Sequence, residues 1–164
     1  MMTRKEFTKD NLRVRIFSDR KAMGDCAGQV AAEYLVALLR EKQEANVLFA
    51  AAPSQNETLA YLKNCKEIDW TRVNAFHMDE YIGLQADHPA GFGNFLRRNI
   101  FDALPFRSVN LINGNAADIE EETKRYAELL RTHPLDMTLM GVGENGHIAF
   151  NDPPVADFND PLAV

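Results

Sequence analysis

The sequence predicts an α/β protein: a three-layer α/β/α, Rossmann-like, doubly wound parallel sheet. Three observations carry this. Strand-like and helix-like segments alternate along the chain, the pattern of βαβ units. The central strands run apolar instead of alternating, as strands covered on both faces do. With 164 residues, 46% hydrophobic and 26% charged, the chain can build the core of one domain spanning 1–164.

The elements follow in order. Val14-Arg-Ile-Phe17 reads as a short strand. Ser18 or Asp19 can cap a helix from Arg20 to Gln43, where Ala31, Ala32, Leu35, Leu38 and Leu39 recur at helical spacing. Asn46-Val-Leu-Phe-Ala-Ala51 is a buried strand. Ser54-Gln-Asn-Glu57 has the form of a capping box opening a helix to about Cys65. Thr71-Arg-Val-Asn-Ala-Phe76 is a third strand. Gly91 to Phe101 is an aromatic-rich helix, and Val109-Asn-Leu-Ile112 a short extended piece. Asp118 to Arg131 is helical, with Glu121 and Arg125 one turn apart. Asp136-Met-Thr-Leu-Met140 is a fourth strand. Val155 to Val164 has no recognisable element. Four strands are few for a doubly wound sheet, so the expectation is the front part of a longer protein, truncated at its C-terminus.

Composition narrows the function. The formal net charge is −6 and no long basic run exists, which argues against nucleic acid. No apolar run reaches membrane-spanning length, and Met1 to Asp10 carries charges but no signal-peptide core. Cys26 and Cys65 read as free thiols in a reducing cytoplasm. No Cys/His spacing suggests a metal site. Whether the chain forms a homo-oligomer is left open.

In an open parallel sheet, ligands collect at the carboxyl ends of the strands. Three loops leave strands there: Ala51 to Ser54, His77 to Tyr81, and Gly141 to His147. The first ends at a helix start, an anion-attracting place. The second puts Asp79 and Glu80 after an apolar strand, where carboxylates can be tuned for proton transfer. The third, Gly141-Val-Gly143-Glu-Asn-Gly146-His147, supplies an imidazole followed by Asp152. It also spells G-x-G-x-x-G, but the dinucleotide fingerprint needs a long helix starting at the loop, and Pro153-Pro154 arrives too soon for one. His77, His88 and His133 lack such company and read as surface or loop residues.

The runs Phe76-His-Met-Asp-Glu-Tyr-Ile-Gly-Leu84, His88-Pro89, Asn113-Gly-Asn115 and Gly141-Val-Gly-Glu-Asn-Gly-His-Ile-Ala-Phe-Asn-Asp-Pro153 resemble those of glucosamine-6-phosphate deaminases, in order and spacing. The resemblance covers nearly the whole chain from the first strand on. It implies a sugar-phosphate aldose–ketose isomerase that also releases ammonia, with no redox cofactor and no metal. Asp79 matches the family's base, which moves a proton between C2 and C1. His147 matches the residue that opens the pyranose ring, and Asn145 and Asp152 match the two acids that orient it. Ala52, Ser54, Glu80 and Gly143 are the expected substrate-binding positions. The related 6-phosphogluconolactonases share the glycine loop but usually carry Arg where Tyr81 stands.

The chain departs from the family's pattern at three places. Asn145 stands where the family usually has Asp, and Asp152 where it usually has Glu. The phosphate loop, usually T-G-x-S/T, is here Ala51-Ala-Pro-Ser54; Pro53 has no N–H to donate and Glu57 sets negative charge in the first helical turn. The basic residues that hold the phosphate in the family lie beyond Val164, so the 164 residues alone are not expected to turn the sugar over. A lactone hydrolase and a non-catalytic sugar-phosphate sensor are the alternatives; the intact Met78-Asp79-Glu80-Tyr81 favours the isomerase.

Overall fold

The computed structural model describes residues 3–157, 159–161 and 164. The chain opens with an antiparallel hairpin of β1 (Thr3–Lys9) and β2 (Leu12–Phe17). Asp10 takes a positive φ of 52° at its turn. Here the structure corrects the sequence reading twice. Met1 to Asp10 contains a strand that its charged composition hides, and Val14–Phe17 is not part of the parallel sheet. The reason is visible in the side chains: Arg13 and Arg15 both engage Glu6 on the paired strand. A strand alternating with arginines cannot be buried on both faces.

Helix α1 (Arg20–Glu41) starts at Asp19, whose carboxylate accepts the Ala22 N–H at 2.8 Å; Ser18 only donates to Asp19. Its buried face is Ala31, Ala32, Leu35 and Leu39 together with Gly24 and Gly28. The glycines are where α2 (Asn56–Asn64) crosses. A Cβ at Gly28 would stand 2.5 Å from that of Tyr61, so no larger residue fits. Between these helices runs β3 (Ala45–Phe49). The expected capping box does not form. Pro53 starts a 3-10 turn through Gln55, no side chain caps α2, and Glu57 pairs instead with Arg20 at 2.9 Å.

The remaining elements are β4 (Val73–His77), α3 (Phe92–Asn99), β5 (Ser108–Asn110), α4 (Ile119–Thr132) and β6 (Met137–Leu139). Asp118 caps α4 by accepting the Glu121 N–H at 3.0 Å. The expected Glu121–Arg125 pair is replaced: Arg125 engages the buried Glu122, at 2.6 Å. Strands β5-β4-β3-β6 form one sheet in that order, all parallel. Chain progression runs outward from β3 to β5 and then jumps back past β3 to β6. The switch point of the sheet, where loops diverge and leave a crevice, therefore lies between β3 and β6.

Helices cover both faces. Val47, Phe49, Val73 and Ala75 are sealed from solvent with Leu35 and Leu39 of α1, Leu59 and Leu62 of α2, and Leu96 of α3. Burying side chains of this size contributes on the order of 1.5–3 kcal/mol each. On the opposite face, Phe76 packs against Tyr126 of α4, ring centroids 6.4 Å apart, and against His133. The apolar strands thus lie between helical layers, as the lack of alternation predicts. No helix among the described residues is long and apolar enough to cross a membrane.

Candidate active site

The loops after β3, β4 and β6 converge on one open cleft of about 530 Å³ at the carboxyl end of the sheet. Ala52, Ser54, Asp79, Gly143, His147 and Asp152 all line it. The three segments singled out from the sequence therefore do meet, because parallel strands put their loops on one edge.

Asp79 follows β4 directly and is half-buried. Its carboxylate makes no hydrogen bond among the described residues. Burial, and then the neighbouring Glu80 carboxylate, hold its pKa above the ordinary aspartate range. Both causes disfavour the charged form. An acid in this condition has oxygen lone pairs free to take a proton from carbon.

The opposite wall is the glycine loop. The His147 ring lies directly on Gly143: a Cβ there would stand 2.2 Å from the ring's Cε1. The loop closes through Gly143 N–H to the His147 carbonyl at 2.9 Å, with Gly146 at φ 89°. His147 Nδ1 lies 2.7 Å from Asn145 Oδ1, and the Asn145 amide donates to Asp152 Oδ1 at 2.6 Å. Since an amide oxygen can only accept, His147 carries its proton on Nδ1, and Nε2 is left as the basic nitrogen. Asp152 sits 3.5 Å from Nδ1, one step behind the amide. The amide thus transmits the orientation of a carboxylate to the ring without bringing its charge into the closest contact. Among the described residues no helix follows Gly146, so the G-x-G-x-x-G run lacks the helix N-terminus of a dinucleotide site.

The loop after β3 has little to offer an anion. The Gln55 N–H is taken by the Ala52 carbonyl at 2.9 Å, Pro53 has none, and the nearby Arg20 guanidinium engages Glu57 and the Pro53 carbonyl. Pairing with Arg20 does remove the objection that Glu57 would repel a phosphate. Ser54 is exposed, its hydroxyl close to Gly141.

Glu80 is not in the cleft. Its two oxygens accept the N–H groups of Phe92 and Gly93, both at 2.9 Å, and that of Tyr81. It caps α3, where a carboxylate meets the positive end of the helix, so both its oxygens are engaged by backbone N–H groups. The reading of His77 is corrected: it is fully buried, and burial pulls its pKa down to about 4. An aromatic wall escaped the sequence reading. Tyr81, Phe92 and Phe150 cluster with centroids 4.7, 5.5 and 6.0 Å apart on the cleft's side. They come from three separate segments, so no spacing in the sequence marks them. Among the described residues, no group of three or more His, Cys, Asp or Glu is gathered as a metal would need.

Residues 18–152 match the family model of glucosamine-6-phosphate isomerases/6-phosphogluconolactonase. The chain belongs to this family. Among curated relatives in it, the glucosamine-6-phosphate deaminase of Streptococcus sanguinis is 38% identical over 128 residues, 77% of this chain and 53% of that protein. The Bacillus cereus enzyme of the same name is 40% identical over 98 residues, 60% of this chain and 37% of the relative. The chain thus spans about half, or less, of the length of the family members it matches. A monomeric glucosamine-6-phosphate deaminase superposes with a TM-score of 0.74 at 26% identity, covering 84% of this chain and 58% of that one. The 6-phosphogluconolactonase of Plasmodium vivax superposes with 0.79 at 13% identity over 92% of this chain and 55% of its own, a likeness of fold alone. The stretch matched by the family model starts at Ser18, just after the β1–β2 hairpin.

Proposed function

We propose that the protein of which these residues form the cleft converts glucosamine 6-phosphate and water to fructose 6-phosphate and ammonia. The observation that carries this reading is the pairing, across one cleft, of an unbonded, half-buried Asp79 carboxylate with an imidazole whose Nε2 is free.

The steps follow from these groups. His147 Nε2 takes the proton of the O1 hydroxyl as the pyranose opens, and the ring oxygen is protonated in turn. Asp79 removes the C2 proton of the open aldose; the C–H electrons form the C1–C2 double bond of an enolamine while the C1 carbonyl oxygen takes up a proton from solvent and becomes a hydroxyl. Returning that proton to C1 leaves an imine at C2. Water adds there, and ammonia departs to give the ketose. Asn145 and Asp152 keep the His147 ring turned so that Nε2 serves the sugar oxygens. Ser54, Ala52 and Gly143 line the rest of the cleft as substrate contacts, with Tyr81, Phe92 and Phe150 offering an apolar face to the sugar's C–H groups. Nothing in this scheme calls on a cofactor.

The family match supports a sugar phosphate as the ligand. Lactone hydrolysis, with His147 activating water, is the second reading; the shared family and the lactonase-like fold favour it. One experiment separates the two: incubate the protein in D₂O with glucosamine 6-phosphate, and separately with 6-phosphogluconolactone. Ammonia release with deuterium appearing at C1 supports the deaminase. Lactone cleavage without ammonia from the amino sugar would replace it.

A further inference from the structure

Asp79 hangs between two anchors that share one support. The ladder between β4 and β5 ends at Phe76 and Asn110. Beyond it the backbones part, and the His77 side chain takes over the connection: its Nε2 accepts the Ile112 N–H at 2.8 Å. The backbone of His77 is held as well. The Tyr126 hydroxyl accepts its N–H at 3.0 Å and donates to its carbonyl at 2.8 Å. The segment that follows Ile112 is fixed to α4, where Glu122 accepts the Asn113 N–H at 2.7 Å. The same segment supports the far side of the Asp79 loop. Gly83 N–H donates to the Gly114 carbonyl at 3.0 Å, and Gly114 lies so close under Tyr81 that a Cβ would be 2.1 Å from the Tyr81 carbonyl oxygen. Residues 111–115 therefore touch the chain two positions before Asp79 and two to four positions after it.

A histidine is a costly choice at this place. It is fully buried, and its Nδ1 has no partner among the described residues. A leucine would fill the volume without burying an orphaned polar atom. What a leucine cannot do is accept the Ile112 N–H.

We propose that His77 is a positioning residue for the Asp79 loop: by accepting the Ile112 N–H, its imidazole locks residues 111–115 beneath Tyr81 and so sets where the Asp79 carboxylate stands. This rests on the reading of Asp79 as the carbon-acid base. The test compares the parent protein with His77→Leu and with His77→Gln, whose amide oxygen can still accept. Amide hydrogen exchange is read at 78–83 and 111–115, and the Asp79 carboxyl is titrated by carbon NMR. His77→Leu should speed exchange in both segments by about tenfold or more, and the Asp79 midpoint should drop back toward the ordinary aspartate range as the loop opens to water. His77→Gln should stay within about threefold of the parent in exchange. In turnover, His77→Leu should lower kcat by about tenfold or more while KM stays within about twofold, with rescue by Gln.

Unchanged exchange and titration in His77→Leu would overturn the proposal. So would a Gln variant as impaired as Leu. If His77→Leu does not fold, the parent alone decides. Ile112 N–H protected to within about tenfold of the β4 amides supports the tether, and exchange as fast as an exposed loop removes it. A parent that incorporates no deuterium from solvent into the sugar defeats the catalytic reading of Asp79, while the exchange and titration readouts still decide the tether.

Discussion

The two walls of the cleft are built in opposite ways. The Asp79 wall is held from afar: His77 bonds to Ile112, Glu80 caps α3 at Phe92 and Gly93, and Tyr126 reaches back across 49 residues to the His77 backbone. The His147 wall is held by its own sequence neighbours. Asn145, Asp152 and Gly143 all lie within five residues of His147, and the loop is largely exposed. On the proposed reading, Asp79 must meet one carbon-bound proton, which needs a place fixed to a fraction of an ångström. Cross-chain bonds in a buried setting supply that. The role proposed for His147, moving protons between sugar oxygens, tolerates more motion, and a short glycine loop suffices.

The contrast can be broken most severely at Asp79 itself. Asp79→Asn keeps the shape of the loop and removes the proposed base. Deuterium exchange at C2 should fall by at least about 10²–10⁴-fold, with sugar affinity little changed; exchange at the parent rate would show that the proton goes elsewhere. The same substitution should leave the fold intact and raise its melting temperature slightly. The reason is one of sign. Asp79 is harder to ionise folded than unfolded, so at neutral pH its charge opposes folding.

His147→Gln tests the other wall. Turnover of the closed pyranose should drop by roughly 10²-fold or more, whereas an open-chain analogue should be processed almost as by the parent. Equal losses on both substrates would remove the ring-opening role and give the two walls one task.

Acid should act on the Asp79 wall through His77. His77 is held near a pKa of about 4 in the fold, below the unfolded value near 6.5. Between those values the unfolded chain binds more protons, so stability falls as pH is lowered from about 6.5 to 4. The full difference amounts to roughly 3 kcal/mol. Urea unfolding at pH 7, 5.5 and 4.5 would show it, and His77→Gln should flatten that part of the dependence. An equally steep profile in the variant would assign the loss to other groups.

The smallest effect is expected at Asn145. Asn145→Asp would put a carboxylate, in place of the amide oxygen, 2.7 Å from Nδ1 and favour the imidazolium. The acid limb of the pH–rate profile should move upward, with kcat at the optimum changed by about tenfold at most. A limb that stays where it was would mean that the Asn145–His147 contact does not persist during turnover.

Much of the site was legible in the residues because it is local. The glycines at 141, 143 and 146, the imidazole between them and Asp152, and the two acids after an apolar strand are all patterns within a dozen residues. The run of central strands without alternation announced helices on both faces, and parallel strands oblige their loops to share an edge. Asp19 and the apolar face of α1 could be read in the same way, since capping and helical periodicity depend only on near neighbours.

What the sequence could not announce was settled by contacts between distant segments. Ser54-Gln-Asn-Glu57 reads as a capping box, yet Arg20 claims Glu57 from 37 residues away. Arg125 chooses Glu122 over Glu121 because Glu122 also receives the Asn113 N–H and is buried by it. Glu80 and Asp79 are adjacent acids of the same pattern, and only the position of α3 makes one a helix cap and leaves the other bare in the cleft. His77 was indistinguishable from a loop histidine until β5 and α4 closed over it. Local sequence determines which conformations and chemistries a segment can offer. Packing determines which groups are deprived of water, and desolvation is what separates a structural carboxylate or imidazole from one able to carry a reaction.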